Sequence, residues 1–339
     1  MRKYFDVLAL VAGACVMPLA AADAKVPDGQ GVKITQQDSN KISVAINSQP
    51  FTDFYIGADA PKPYLHPLRS ASGKTMTRGY PMENPPGEAH DHPHHRGLWF
   101  THGEVNGYDF WSNEKLQENG KKGRVVLVKA AKVSSGTKSG TVQAAFNWVG
   151  PDGKTVLTED RKMIFYALPD LRVIDFDIDL KAVEKAVFGD TKEGTFAIRL
   201  APELEEQQPK NIASPKRTGK MVSAQSKSGE KEVWGKRSEW VDYSGTVGGE
   251  PLGIAILDYP ANPRHPTYWH SRAYGLFAAN IFGLHDFEND KSRNGSLTLE
   301  PGRDLRFRYR VIIHPGDYQS AHIAALYQDY AANKPPAQQ

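Results

Sequence analysis

The segment Tyr80–Trp111 holds the densest set of reactive side chains in this chain of 339 residues. Glu83 and Pro85-Pro86-Gly87-Glu88 lead into His90-Asp91-His92-Pro93-His94-His95-Arg96-Gly97. Trp99, His102, Glu104, Asn106, Asp109 and Trp111 follow. Five of the eleven histidines fall between positions 90 and 102. Imidazole titrates near neutrality, so one histidine can move a proton while another holds a substrate. Metal binding is a second chemistry. On a strand His90 and His92 would point the same way, and with His102 and a nearby carboxylate they could hold copper or iron. Pro93 interrupts a regular strand there, and no helical His-x-x-x-His pair supports the site. The plainest alternative is a proline-rich loop whose histidines bond backbone groups, and at least two of the five are expected to do only that.

Aromatic rings accompany these groups. Trp99 and Trp111 flank the polar run, and Tyr268-Trp269-His270 follows another Pro/His loop, Asn262-Pro263-Arg264-His265-Pro266. Rings of this kind stack on the apolar faces of sugars, while His, Asn, Asp, Glu and Arg replace the water lost by the hydroxyls. A tryptophan taken singly belongs more often in a core. Gly189-Asp190-Thr191-Lys192-Glu193-Gly194 is a polar turn before an apolar strand, with Lys192 and Glu193 as candidate groups. A solvated turn is its simpler reading. Asn280, His285 and Asp286 add an amide, an imidazole and a carboxylate.

These groups have to be positioned by strands. Ile42/Val44/Ile46, Val142/Ala144/Phe146/Trp148, Ile174/Phe176/Ile178/Leu180, Phe196/Ile198/Leu200 and Leu305/Phe307/Tyr309/Val311 alternate with polar or small residues. Period two places each apolar set on one face of a sheet. Turn signals such as Pro151-Asp152-Gly153, Gly248-Gly249 and Pro301-Gly302 separate the runs. One helix is expected near the end, from Ile323, Leu326, Tyr327 and Tyr330 at helical spacing after Ser320. The pattern predicts an all-β protein, an antiparallel β-sandwich with a short C-terminal helix. A single domain is expected over residues 32–333, with a long polar loop near 205–229 and loose ends at 23–31 and 334–339. Asp175/Asp177/Asp179 could suggest calcium, but they lack the Gly and Asn loop chemistry of such sites. A solvated sheet face suits them better, and pairing with Arg306/Arg308/Arg310 on an adjacent strand would add about 0.2–1 kcal/mol per good pair.

Residues 1–22 read as an export signal. Arg2 and Lys3 precede a mostly apolar stretch, Val7–Leu19, and Ala20-Ala21-Ala22 offers a cleavage site. No later segment approaches the ~18–20 apolar residues that span a bilayer. The expected location is the periplasm or beyond, with lipidation of Cys15 a weaker alternative. Cys15 is the one cysteine, so cleavage after Ala22 would leave no disulfide or zinc–thiolate chemistry. A net charge of +3 without a long basic run speaks against a nucleic-acid partner. No Gly-x-Ser-x-Gly elbow, phosphate-binding glycine loop or cysteine nucleophile is present.

Tyr80-Pro81-Met82-Glu83, the histidine run through Trp99, Gly189–Gly194, Trp240-Val241-Asp242-Tyr243-Ser244-Gly245 and Tyr274–Asn280 resemble a family of exported bacterial proteins of uncharacterised function. That family is labelled methane-oxygenase-like. Its members resemble proteins encoded near sugar oxidoreductases in polysaccharide-degrading bacteria. The strand pattern is also similar to the supersandwich of the galactose mutarotases. That likeness implies a histidine acid and a glutamate base, for which His94 or His95 and Glu193 are the counterparts here.

The leading expectation is a carbohydrate-active enzyme: an epimerase, a lyase acting on an oxidised sugar, or a hydrolase. Its catalytic residues would be His94, His95 and Glu193. Glu83, Arg96, Trp99, Trp111, Lys192, Trp269, His270, Asn280 and His285 would bind the substrate. Hydrolysis by the usual route needs two carboxylates facing one bond, for which Glu83, Glu88, Glu104 and Glu193 are available. Two alternatives stand beside it. One is a non-catalytic carbohydrate-binding protein. The other is an oxidoreductase with a metal ion at His90, His92 and His102.

Overall fold

The computed structural model describes residues 29–115, 117 and 121–337. The stretch 1–22, expected to be an export signal, and most of the N-terminal stretch 23–31 lie outside them. Two large sheets dominate, and every strand pairing within them is antiparallel. The eight-stranded sheet runs in the order Val32–Gln36, Lys41–Ile46, Gln49–Tyr55, Tyr64–His66, Leu98–His102, Gly194–Arg199, Leu276–Asn280, Tyr268–Ser271. The nine-stranded sheet runs Lys220–Ser223, Trp240–Val247, Glu250–Asp258, Asp304–Pro315, Arg172–Ala182, Thr155–Tyr166, Ser139–Val149, Arg124–Leu127, with Lys132–Ser134 also on Ser139–Val149. Strand Lys220–Ser223 lies inside the stretch expected to be a long loop. Met221 and Val222 are buried there against the sheet edge.

The two sheets face each other across one apolar core, which makes the protein a β-sandwich. Phe51 meets Phe165, Phe54 meets Phe146, and Phe176 meets Phe196, each edge-to-face across the layers. Removing such a ring from water contributes roughly 1.5–3 kcal/mol. One ion pair sits within this core. Arg161 and Glu159 are nearly unexposed, Glu159 Oε2 also accepts from Trp148 Nε1 at 2.8 Å, and the guanidinium lies between the rings of Phe54, Phe100 and Phe146.

Helix Ile323–Ala331 covers the outer face of the nine-stranded sheet. It buries Ile323, Leu326, Tyr327 and Tyr330 against Val173, Trp240, Leu257 and Ile312. The acidic and basic ladders are in register, Asp175 opposite Arg310 and Asp179 opposite Arg306. Arg310 grips Asp175 through two bonds, at 2.6 and 2.8 Å, and Arg306 forms a similar fork on Asp177. The expected loose tail is tied at its start. The Lys334 amide and ammonium both bond Asp329, and its carbonyl accepts from Arg310.

Candidate functional site

The outer face of the eight-stranded sheet carries the candidate site, and strand alternation decides which side chains reach it. Along Leu98–His102, Trp99 and Thr101 point outward, while Phe100 and His102 point into the sandwich. Ala197 and Arg199 on the next strand share the outward face, followed by Leu276, Ala278 and Asn280, then His270. A small apolar patch forms there from Tyr64, Trp99, Trp111, Ala197, Leu276 and Ala278.

The loop 90–97 folds down onto this patch. Its rings make a column: Tyr274 stacks on His92 at 5.4 Å, His92 on His95 at 4.7 Å, and His95 on Trp99 at 5.3 Å. His94 sits edge-on to His95, and Trp111 packs against Trp99 at 5.0 Å. Gly97 ends the loop at φ +51°, with Leu65 O only 2.1 Å from where a Cβ would stand. No other residue type fits that crossing without a backbone shift.

A chain of charges holds the column. Asp91 accepts from Arg78 at 2.5 Å and Arg199 at 3.2 Å, and Nδ1 of His92 lies 2.9 Å from its second oxygen. Arg199 also faces Glu205, which accepts from Arg217 at 3.1 Å. Burial raises the Asp91 carboxyl, but the His92 hydrogen bond and the two guanidiniums outweigh it and hold the group well below the usual carboxylate range. The open neighbour of this chain is His92, with its side chain 40% exposed and its backbone left-handed at φ 44°. Its Nδ1 faces Asp91, so Nε2 is the ring nitrogen left for other work.

His94 and His95 behave differently from the acids expected of them. A guanidinium can only donate, so Arg199 Nη1, 3.2 Å from His95 Nδ1, fixes the proton of that ring on Nε2. Gln117 does the same at His94 Nδ1 at 2.8 Å. Burial, with the nearby cationic charges, pushes His94 down to about 2 and His95 far below its ordinary value. Both rings are therefore neutral hydrogen-bond donors. His270 is neutral too, pushed down to about 3 by burial. Its Nδ1 donates to Lys192 O at 2.9 Å, which leaves a lone pair on Nε2.

Glu193 comes to the site on the turn 189–194. Asn280 donates to Thr191 O and Lys192 O, and Asp286 accepts from the Lys192 amide, so this turn is strapped to the sheet. The Glu193 side chain is 35% exposed and lies 3.6 Å from the Lys192 ammonium. Burial raises its carboxyl, against the opposing pull of Lys192 and His92. It also acts on Tyr274, whose phenol burial pushes up to about 12.

Several expected residues occupy other places. Trp269 alternates to the inner face, packs on Phe277 and donates to Ser238 O. Glu83 is exposed beside His66. Arg96 is committed to Glu114 through two bonds at 2.7 and 2.9 Å and braces the loop. His285 stands at the rim, paired with Asp190 at 2.9 Å. The set His90, His92 and His102 is not assembled. His90 stacks on Tyr80, while His102 points to the opposite sheet face, against Phe282, and donates to Gly189 O. Among the described residues no three His, Cys, Asp or Glu side chains are grouped to hold a metal ion.

Residues that sequence reasoning passed over support the site. Arg78, Arg199 with the nearby Glu205, and Tyr274 come from three distant segments. Lys62 is fully buried beneath the tryptophans, donating to Trp111 O at 2.5 Å and Asn113 Oδ1 at 3.0 Å. Burial lowers it to about 7. Only Arg199 carried a signal, as a charged residue between apolar neighbours on a strand that otherwise reads as buried.

With this geometry in place, comparison gives a family. Residues 41–328 match the family of unknown function DUF6807, and the chain belongs to that family. No curated protein matches it in sequence. Among solved structures it is similar to an α-galactosidase from Lactobacillus brevis, at 8% identity and TM-score 0.42, covering 91% of this chain and 42% of that one. The chain thus spans less than half of that enzyme. It is also similar to galactose 1-epimerase from Lactobacillus acidophilus, at 6% identity and TM-score 0.40, and to a galactose mutarotase-like protein from Clostridium acetobutylicum, at 11% and 0.40. Each of these two likenesses covers 85% of this chain and 99% of the other.

Proposed function

We propose that this protein is an exported carbohydrate-active enzyme that moves protons with His92 and Glu193 at the outer face of the eight-stranded sheet. The observation that carries the reading is the Asp91–His92 pair close enough to Glu193 for His92 to act on its carboxyl, with the half-buried Tyr274 ring stacked on His92. A carboxylate that holds one imidazole nitrogen leaves the other oriented for proton transfer. Glu193, raised by burial, is suited to take a proton, and His92 in its doubly protonated form to return one from Nε2, the starting states being restored when Glu193 gives its proton to water and His92 takes one back. The neutral His94 and His270 serve as fixed hydrogen-bonding groups for hydroxyls, and the half-buried Tyr274 ring offers an apolar face to a sugar. This differs from the sequence expectation in moving the histidine role from His94 or His95 to His92. Export rests on the signal-like order of residues 1–22.

The test is deuterium incorporation at sugar carbons in D2O, followed by NMR beside anomer interconversion and reducing-end release across a panel of sugars. Turnover of at least one sugar is expected, falling about 10²-fold or more in Glu193→Gln and in His92→Asn. Turnover that survives both substitutions would overturn the assignment. A non-catalytic sugar-binding role is the second reading, favoured by the neutrality of three of the four histidines. It predicts affinity with no exchange in any variant.

A further inference from the structure

The recess around His95 has an uneven hydrogen-bond inventory. Four buried N–H groups have no acceptor among the described residues: His95 Nε2, Trp99 Nε1, Trp111 Nε1 and Arg199 Nε. Their residues are at most 1% exposed. The four residues adjoin one another: Arg199 Nη1 lies 3.2 Å from His95 Nδ1, and the two indoles are 5.3 and 6.0 Å from the His95 ring between centroids. All four are donors. The acceptors beside them are already used: His95 Nδ1 by Arg199, His94 Nδ1 by Gln117, and Asp91 by Arg78, Arg199 and His92. Buried donors left without partners are unfavourable, and native structures rarely collect them.

The guanidiniums of Arg78, Arg199 and Arg217 are fully buried and held by Asp91 and Glu205, with Glu88 beside Arg78 as a third carboxylate, so the unmatched N–H groups, and no excess of charge, mark this place.

We infer that the His95 recess receives the anionic group of an acidic sugar, a carboxylate or a sulfate. This rests on the carbohydrate reading above and narrows it. A hydroxyl entering the recess would bring a proton with no free acceptor to take it. A carboxylate or sulfate brings lone pairs alone and matches the four donors. His92 covers His95 from the outside, so binding requires this exposed ring to turn away from the stack.

The test is isothermal titration of the full chain with glucuronate, galacturonate, a galacturonate trisaccharide and galactose 6-sulfate, beside glucose and galactose. At low salt at least one acidic ligand is expected to bind tenfold or more tightly than its neutral counterpart, with the preference shrinking as salt rises. The uronate and sulfate arms tell the two anions apart. Arg199→Gln should bring the ratio of acidic to neutral affinity close to one. Trp111→Phe keeps a ring, removes one donor and should lower that ratio at least threefold, so the proposal stays testable if Arg199→Gln does not fold. Neutral sugars binding as tightly as acidic ones would overturn the inference and leave the carbohydrate reading standing. Binding by neither set would overturn both.

Discussion

Replacing Asp91 by Asn tests the frame on which the site is hung. The carboxylate meets Arg78 at 2.5 Å, Arg199 at 3.2 Å and His92 at 2.9 Å, and both arginines are fully buried. Asparagine keeps one acceptor but removes the charge. Its amide nitrogen then faces either an arginine or the Nδ1–H of His92, donor against donor. Removing one partner of a buried pair costs about 3–5 kcal/mol. The Asp91 side chain is 40% exposed, so solvent screens part of the loss and about 2–3 kcal/mol is expected. For a chain of this size that is roughly 4–10 °C in Tm. Denaturant melts give the stability, and nitrogen-15 spectra of the imidazoles give the tautomers. His92 should lose its fixed Nδ1–H form. The wild-type term also has a signed pH dependence. The folded Asp91 carboxyl is held below its unfolded value of about 3.9, so its contribution is complete above that pH and fades as pH falls beneath it. An Asp91→Asn protein within about 0.5 kcal/mol of wild type, with the His92 tautomer unchanged, would refute the reasoning.

Three more outcomes follow from the same geometry. His94, His95 and His270 are neutral when folded and titrate near 6.5 when unfolded, so each lowers stability by up to about 1.4 kcal/mol per pH unit below 6.5; urea melts between pH 7.5 and 5 should show the fall, and their imidazole signals should not titrate in that range. Gly97→Ala places a methyl 2.1 Å from Leu65 O in a left-handed conformation, and should cost more than about 1 kcal/mol while disturbing the histidine loop, read by melting and by tryptophan fluorescence. Glu159→Gln leaves the Arg161 charge unmatched between Phe54, Phe100 and Phe146, and about 3–5 kcal/mol should be lost in denaturant unfolding.

Strand content was readable because alternation is local. A period of two appears wherever a sheet buries one face, and the runs at Ile42–Ile46, Val142–Trp148, Ile174–Leu180 and Leu305–Val311 all lie within strands. The terminal helix followed equally local spacing. Even the pairing of Asp175 with Arg310 could be anticipated, since two oppositely charged ladders of the same period have an evident register. The chemistry was partly readable for the same reason: five histidines near two tryptophans are a compositional fact.

The tertiary structure decided which of those groups meet. Trp99 and His102 are three residues apart on one strand and face opposite ways, so proximity in sequence misplaced His102. Tyr274, Arg199 and Glu205 join the histidine loop only because strands distant in sequence become neighbours in the eight-stranded sheet. Ionisation was decided there as well. An imidazole has the same sequence letter whether it is exposed beside Asp91 or sealed beneath Arg199, and only burial and partners make the sealed one a neutral donor.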